Sequence, residues 1–459
     1  MDNTKEVHKK ELQKYFLIIM FILATLLRIV FISIEKIVDY QYDVGVVTIN
    51  DDESYDKIYN QDRSYLKEAR HLDYIMTIHN TGKLPETNKV QHYHPPLHHL
   101  ISAGLLKVLD NFDLSNRTKL ESLQILTCIY SVVAMFLILK ICDELKINNF
   151  YKIIVLLFVG FNPLFIYMSG FISNDMLVSM LIILSMYLLI KWYKNPTYLN
   201  TALIGITFGL GYATKTSIAV MGIVIAGVVC FKWLHSLLLS RKDDPTIDKT
   251  ALYKTKKFLI QTLIFLIIAT PMSIAFPIRN YKKFNQPFVY VVPPKQDLLV
   301  KETNAFKRFG PFSRELFEDE IHEDNYNVFS YVIKSDLVFS LRSTIHFHLL
   351  LKFLIILLFG FSLATIFLLL AKNQNPIITI MIITCGLWLA SFISFNLDFP
   401  ASCTMHSKYI YTLIAFLPIV SVYYLQEKDN YILTMTIFEL STMFAVFSTI
   451  GVLMNIIII

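Results

Sequence analysis

The chain has 459 residues, of which 54% are hydrophobic and only 17% charged. Soluble domains carry about 25% charged residues, so this composition excludes an ordinary cytosolic enzyme, a disordered chain and a nucleic-acid binder. The net charge of +6 comes from 42 basic and 36 acidic residues; in a membrane protein such an excess reports orientation, not a polyanionic partner.

The first residues, MDNTKEVHKKELQKY, are basic and lead into an apolar run at 16–34, long enough to span a bilayer. No small-residue cleavage site follows, so a retained first span is expected instead of a signal peptide. Further apolar runs lie at 120–139, 151–171, 176–190, 199–213, 216–233, 257–276, 349–371, 377–395, 408–425 and 431–459. Backbone polar groups in lipid must be satisfied within their own segment, so these runs predict helices. The expected fold class is all-α integral membrane, with about eleven transmembrane helices. One segment, PPLHHLISAGLLKVL at 95–109, is short for a span. Its Leu97, Leu100, Ile101, Leu105 and Val108 share one helical face, which predicts a helix lying in the interface plane. His98 and His99 would then form its wet face.

Lys and Arg positions orient the chain. With a cytoplasmic N-terminus and a 95–109 helix that does not cross, Lys140, Lys146, Lys152, Lys191, Lys194, Lys372 and Lys428 all fall inside. So does the basic loop 234–256, with Arg241, Lys242, Lys249, Lys254 and Lys256. A crossing 95–109 helix would put that loop outside. The expectation is one polytopic membrane domain over 1–459, with a first extracellular loop at 35–119 and a second large extracellular segment at 277–348. Cys128, Cys142, Cys230 and Cys385 lie in or beside apolar runs and Cys403 in an outer loop; no CxxC spacing supports a disulfide framework or a zinc knuckle.

The polar motifs all land on the outer side. Asp43 follows the first span closely, and Asp51, Asp52 and Glu53 come soon after. Loop carboxylates are usually just solvated, but one held at the bilayer surface can take a proton as a general base. His92, His94, His98 and His99 form a dense cluster. His-x-His can ligate a metal, yet no carboxylate stands at a fixed near spacing, so a structural or phosphate-facing role is preferred. Ser173, Asn174 or Asp175 can each cap the helix that follows; Asp175 also offers the outer face a second carboxylate. Lys215, Arg279 beyond a helix end at Pro277, and His406, Lys408 and Tyr409 before a late helix each suit an interfacial anchor. Taken together, these cations and imidazoles suit an anionic lipid headgroup.

The order of these motifs is informative. An acid follows the first helix, then HPPL at 94–97, then S-x-D at 173–175 after an Asn-Pro-containing run. Next come Thr-Lys at 214–215, a proline-led Arg-Asn at 277–280 with F-x-x-P at 284–287, and H-x-K-Y at 406–409. This set, spread over roughly residues 15–425, resembles the GT-C membrane glycosyltransferases. More narrowly it is similar to the protein O-mannosyltransferase and lipid A aminoarabinose transferase group. The resemblance implies a GT-C-type fold with interfacial helices in the first outer loop. It implies transfer of a sugar from a polyprenyl-phosphate-linked donor to an acceptor hydroxyl on a glycan, lipid or protein outside the membrane. Asp43 would act as, or beside, the general base, and Asp175 would be the second acidic position. His94 would lie near the lipid phosphate. Lys215, Arg279 and Lys408 would bind that phosphate or shape the cavity, with His406 and Tyr409 beside them. Two features depart from the pattern. Asp52-Glu53-Ser54-Tyr55 has the D-E-x-x-Y form that competes with Asp43, although 48–67 reads as an acidic insertion. Lys408 stands where Arg is commoner, which removes bidentate phosphate geometry.

The implied chemistry is inverting attack with Asp as base, and cations that stabilise the departing phosphate. The chain has no GxxxxGK[ST] match, so no ATP site is indicated. No cofactor is required by this scheme, and a divalent cation is left open. The expected setting is the cell membrane, multi-pass, with the active site extracellular or periplasmic and membrane lipids as surroundings. Alternatives are a transporter or flippase of lipid-linked sugar, which would show mid-membrane charges and inverted repeats, a ligase acting on a lipid-pyrophosphate glycan, and a relative that only binds polyprenyl lipid.

Overall fold

The structure is a computed structural model that describes residues 2–34, 48–49, 55–56, 70–240, 247–288, 290–293, 299–311, 313–318, 326–338, 345–372 and 375–458. Its α-helices in chain order are α1 (Asp2–Ile34), α2 (His71–Thr81), α3 (Leu97–Leu109), α4 (Asn116–Glu121), α5 (Leu123–Glu144) and α6 (Asn149–Gly160). There follow α7 (Pro163–Gly170), α8 (Asn174–Lys194), α9 (Tyr198–Tyr212), α10 (Ala219–Ser240), α11 (Ile247–Phe284) and α12 (Ala305–Phe309). The last are α13 (Val328–Val338), α14 (Ile345–Lys372), α15 (Pro376–Asp398), α16 (Tyr411–Lys428) and α17 (Tyr431–Ile458). Strands β1 (Thr48–Ile49) and β2 (Tyr55–Asp56) make a small antiparallel ribbon.

Among the described residues nine helices are long and apolar enough to cross a membrane, and the bent pair α6–α7 can supply a tenth. The eleven-helix expectation had two sources of excess. Residues 151–171 are not one rod: α6 and α7 meet at 58°. Pro163 cannot donate a backbone N–H, and Asn162 caps the new helix by accepting from Leu164 N at 3.0 Å. The run at 199–213 is α9, a 15-residue rod shorter than the roughly 20 of a full span; it still returns the chain across the second unit, because α10 comes back to the end of α8 at Lys232 and Tyr193.

The chain divides into two compact units. The first is Met1–Asp39, Gln124–Phe171 and Pro293–Ile459; the second is Tyr40–Leu123 and Ile172–Val292. In the first unit α16 is the most enclosed span, packing on α6, α14 and α15, while α1 lies against α6 and α7. Arg28 of α1 is fully buried there. Its Nη1 donates to the Gly160 carbonyl at 2.7 Å and its Nε to Ser131 Oγ at 2.9 Å. Gly160 is where α6 stops, so its carbonyl lacks a helical donor; the guanidinium supplies one.

In the second unit α9 packs tightly on α8 and α11. Gly205 and Gly209 permit this approach. A Cβ on Gly205 would lie 3.4 Å from the Phe265 carbonyl, and one on Gly209 would lie 3.1 Å from Met272 Cβ. This is the small-residue spacing of close membrane helices. α11 contains Pro271 and Pro277 and continues to Phe284. The expected helix end at Pro277 is therefore corrected: Arg279 belongs to the closing turns of a helix. Helices in membranes accept internal proline where neighbours re-satisfy the backbone.

The short helix at 95–109 forms as α3 and packs on α2. Leu100, Ile101 and Val108 remain 44%, 37% and 56% exposed, whereas His98 and His99 are both 0% exposed. The wet-face reading of these histidines is thus reversed. The apolar stripe faces outward, while His99 faces His71 and Tyr74 of α2 and His98 is buried edge-on to it.

Candidate active site

The second unit brings three of the sequence motifs onto one turn. Leu97 N, at the end of HPPL, donates to the Ala213 carbonyl at 2.9 Å. Asn174 Nδ2, in the middle of S-x-D, donates to the Thr214 carbonyl at 3.1 Å. Lys215 Nζ then reaches back to Asp175 Oδ1. Each segment has a local reason to be there. Pro95 keeps His94 extended before it, and Pro96, already in the helical region, leads into α3 at Leu97. Ser173 caps α8 by accepting from Asp175 N at 3.3 Å, and so fixes Asp175 in the first turn, where a negative charge is favoured.

Asp175 is 4% exposed. One of its oxygens receives Lys215, and the other receives the Ser173 hydroxyl at 3.3 Å. The capping reading and the charge reading of S-N-D are both realised, on different residues: Ser173 caps and Asp175 pairs.

His94 is buried beside this turn, between two functions. Its ring lines a small open cleft with Tyr93, Pro95, Thr216, Phe276, Pro277, Gln286, Phe288 and Tyr290. It also stacks on His71, with centroids 6.1 Å apart. Behind it His71 Nδ1 and His99 Nε2 lie 2.9 Å apart. Tyr74 stacks on His99 at 3.9 Å and takes His92 edge-on at 5.2 Å, while His92 pairs with Asp73 at 3.1 Å. Burial drives the His98 pKa from 6.5 down to about 4, with Asp175 pulling the other way. His99 is held well below 6.5 by burial first and then by His71, His98, His94 and His92. Burial raises the Tyr74 phenol, and Arg279 partly offsets this. Among the described residues no three His, Cys, Asp or Glu side chains group to hold a metal ion. The imidazoles stack and edge past each other; they do not converge on a point.

Arg279 is half-buried and donates to the Pro85 carbonyl at 2.7 Å and to Asn280 Oδ1 at 2.8 Å. Gln286 Oε1 accepts from Asn88 at 3.2 Å and from Asn280 at 3.3 Å, so the end of α11 is stitched to 85–88.

In the first unit His406, Lys408 and Tyr409 share one short 3-10 turn, Ser407–Ile410 with its cap. His406 Nδ1 accepts from Lys408 N at 3.3 Å, and Trp388 Nε1 donates to the Tyr409 carbonyl at 3.2 Å. Lys408 Nζ lies 6.0 Å from the Phe171 ring centroid. Ser407 is held from α13 by Ser335 at 3.0 Å. Asp43, and with it Asp51, Asp52 and Glu53, lies outside the described residues. Sequence reasoning missed three buried groups: Arg28, Lys334 and His71. Arg28 carried the clearest signal, a cation inside the first apolar run.

Comparison with known proteins agrees with this picture. The family described as dolichyl-phosphate-mannose-protein mannosyltransferase matches residues 90–287. That stretch contains His94, Asp175, Lys215 and Arg279. No curated protein matches the chain in sequence. Among solved structures, ArnT from Cupriavidus metallidurans in the apo state is similar with a TM-score of 0.51 at 11% identity, over 90% of this chain and 60% of that one. The same protein bound to undecaprenyl phosphate gives 0.48 at 11% identity, with the same coverage. The Archaeoglobus fulgidus oligosaccharyltransferase gives 0.44 at 13%, over 94% of this chain and 53% of that one. This chain thus spans 60% of the length of the ArnT structure it matches. The fold is similar to that of ArnT, and residues 90–287 match the dolichyl-phosphate-mannose-protein mannosyltransferase family.

Proposed function

We propose that the chain is a membrane glycosyltransferase that moves a sugar from a polyprenyl-phosphate-linked donor to an acceptor hydroxyl. The observation that carries this reading is the turn at 213–215, which receives Leu97 N and Asn174 and directs Lys215 to Asp175. The matching family's description, with its dolichyl-phosphate-linked mannose, supports a donor of this class. A transporter needs no such fixed cation at a loop-level turn.

In the reaction the acceptor oxygen loses its proton and bonds to the anomeric carbon. The bond from that carbon to the phosphate oxygen breaks, and the lipid phosphate leaves with the electron pair. A carboxylate must take the proton, and Asp43 is assigned to it as general base. Asp175 is assigned a different task. Both its oxygens are engaged, so it orients Lys215, whose charge stabilises the departing phosphate. His94 and Arg279 are assigned to the same leaving group, and Lys408 with His406 and Tyr409 to substrate binding. Attack opposite the leaving group inverts the anomeric centre. The protein would sit multi-pass in the cell membrane with its N-terminus in the cytoplasm and act on the outer side.

The test is transfer of radiolabelled sugar from polyprenyl-phosphate donors in membranes carrying the full chain. Asp43→Asn should abolish turnover while leaving donor binding intact. Lys215→Met should weaken donor binding, and Lys408→Met should raise the donor KM. Undiminished turnover in both Asp43→Asn and Lys215→Met would end the proposal.

A further inference from the structure

The net charge of the chain is concentrated. Residues 191–194 and 232–257 carry nine Lys and Arg against three Asp, a difference of six that equals the net charge of the entire sequence. In sequence all of them belong to the second unit, in the last turns of α8 and α10, the first turns of α11 or the stretch between α10 and α11. α10 packs on both α8 and α11.

The described side chains there are ordered in a specific way. Lys232 donates to the Tyr193 carbonyl in the last turn of α8. Its Nζ lies 4.5 Å from the Tyr193 ring centroid and 5.7 Å from that of Trp192. Lys257 of α11 is near enough for its charge to act on Lys232. Lys254 donates to the Ser236 carbonyl at 3.1 Å, and Trp233 stacks on Phe258 at 4.6 Å. Among the described residues no Asp or Glu pairs with Lys191, Lys232, Lys256 or Lys257.

Snorkelling and helix-end anchoring account for lysines one at a time. They do not account for two like charges from α10 and α11, each half-buried and each one residue before a ring of the stacked Trp233–Phe258 pair, with no carboxylate partner among the described residues. Lys232 uses one of its three N–H donors on the protein. An anion between Lys232 and Lys257 would remove their repulsion and use the remaining donors. Trp and Tyr at the same level are the residues that mark the headgroup zone of a bilayer. A zwitterionic headgroup brings its own ammonium into that field and gains little; a headgroup with net negative charge gains fully. We propose that the end of the second unit formed by α8, α10 and α11 binds the headgroup phosphate of an anionic phospholipid between Lys232 and Lys257.

The test uses the full chain in phosphatidylcholine nanodiscs carrying a trace of pyrene-labelled phosphatidylglycerol or pyrene-labelled phosphatidylcholine. Energy transfer from Trp192 and Trp233, both at this end, reports which lipid resides at the site; Trp388→Phe removes the tryptophan of the first unit from the signal. Transfer should favour phosphatidylglycerol. Each of Lys232→Gln and Lys257→Gln should reduce that preference by about fivefold. Lys232→Arg should keep it, and Lys140→Gln with Lys428→Gln, which alter lysines of the first unit, should leave it unchanged. Equal transfer from the two lipids in the unaltered protein overturns the proposal, and so does an undiminished preference in the Lys232→Gln, Lys257→Gln double variant. Loss of the preference on adding inorganic phosphate at constant ionic strength would also overturn it, because it would mark a site for small anions.

Discussion

His71 Nδ1 and His99 Nε2 stand 2.9 Å apart in a buried array of five imidazoles between α2, α3 and the 90–94 turn. One ring must donate and the other accept, so the contact requires at least one neutral imidazole. Asp73 serves His92, and Asp175 and Arg279 also act on this layer, on His98 and Tyr74 respectively.

An acid-labile first loop follows from this array. His98 has its pKa lowered from 6.5 to about 4, and His99 is lowered as well. Both fold as neutral rings, whereas the unfolded chain takes up protons near 6.5. Their contribution is therefore fully present above about pH 6.5 and is lost as the pH falls from there toward 4. For His98 alone the ceiling is about 3 kcal/mol. Thermal unfolding in detergent should show the midpoint dropping over that window, and His98→Gln should flatten the drop. A midpoint that does not move between pH 7 and pH 5 would contradict the neutral array.

The Asp175–Lys215 pair should behave as a unit. Its side chains are 6% and 12% exposed, so removing one partner strands a buried charge. Asp175→Asn or Lys215→Met alone should cost about 3–5 kcal/mol. The double variant should cost clearly less than the two combined, because neither charge is then left alone. Unfolding midpoints of the four proteins make the measurement; strictly additive losses would mean the pair is not coupled.

The spans are legible in the sequence because lipid imposes a length and a composition on them. Contacts are legible only where a side chain announces them. Ser173-Asn174-Asp175 and Thr214-Lys215 can each be singled out, but the bond from Leu97 N to the Ala213 carbonyl joins two backbone groups and leaves no trace in residue type. The apolar stripe of 95–109 is real. Its direction is hidden, because periodicity gives a face and does not say whether lipid or protein covers it. Pro277 misleads for a related reason: proline ends helices in water more strictly than it does in a membrane. The Gly205-x-x-x-Gly209 spacing, by contrast, is a pairing signal that residue types alone carry, since two small residues one turn apart mark the face where a second helix can come close.

Arg28 should prove structural. Its guanidinium supplies the donor that the Gly160 carbonyl lacks at the α6–α7 break. Arg28→Met removes that donor and leaves a buried carbonyl unsatisfied, at a cost of about 1–3 kcal/mol. Arg28→Lys should recover part of it, since an ammonium can still reach one carbonyl but cannot also hold Ser131 through a fixed fork. Unfolding midpoints that rank the unaltered protein first, Arg28→Lys second and Arg28→Met last would fit this role. Full stability in Arg28→Met would disprove it.

Topology can be read from cysteines the chain already has. Cys403 is exposed, and Cys128, Cys142 and Cys385 are buried. Cys230 is exposed too, but it lies within the Thr216–Leu238 span, where lipid shields it from a charged reagent. A membrane-impermeant maleimide added to intact cells should therefore label Cys403. With Cys403→Ser as background, Lys249→Cys, which lies between the Thr216–Leu238 and Lys254–Phe284 spans, should stay unlabelled until the cells are opened. The charge bias that sets this expectation is the same basic end that carries Lys232 and Lys257, since lysines and arginines are retained on the cytoplasmic side. Ready labelling at position 249 in intact cells would place that end outside. It is also the outcome expected if α3 crosses the membrane, since one further crossing ahead of that end reverses every later loop.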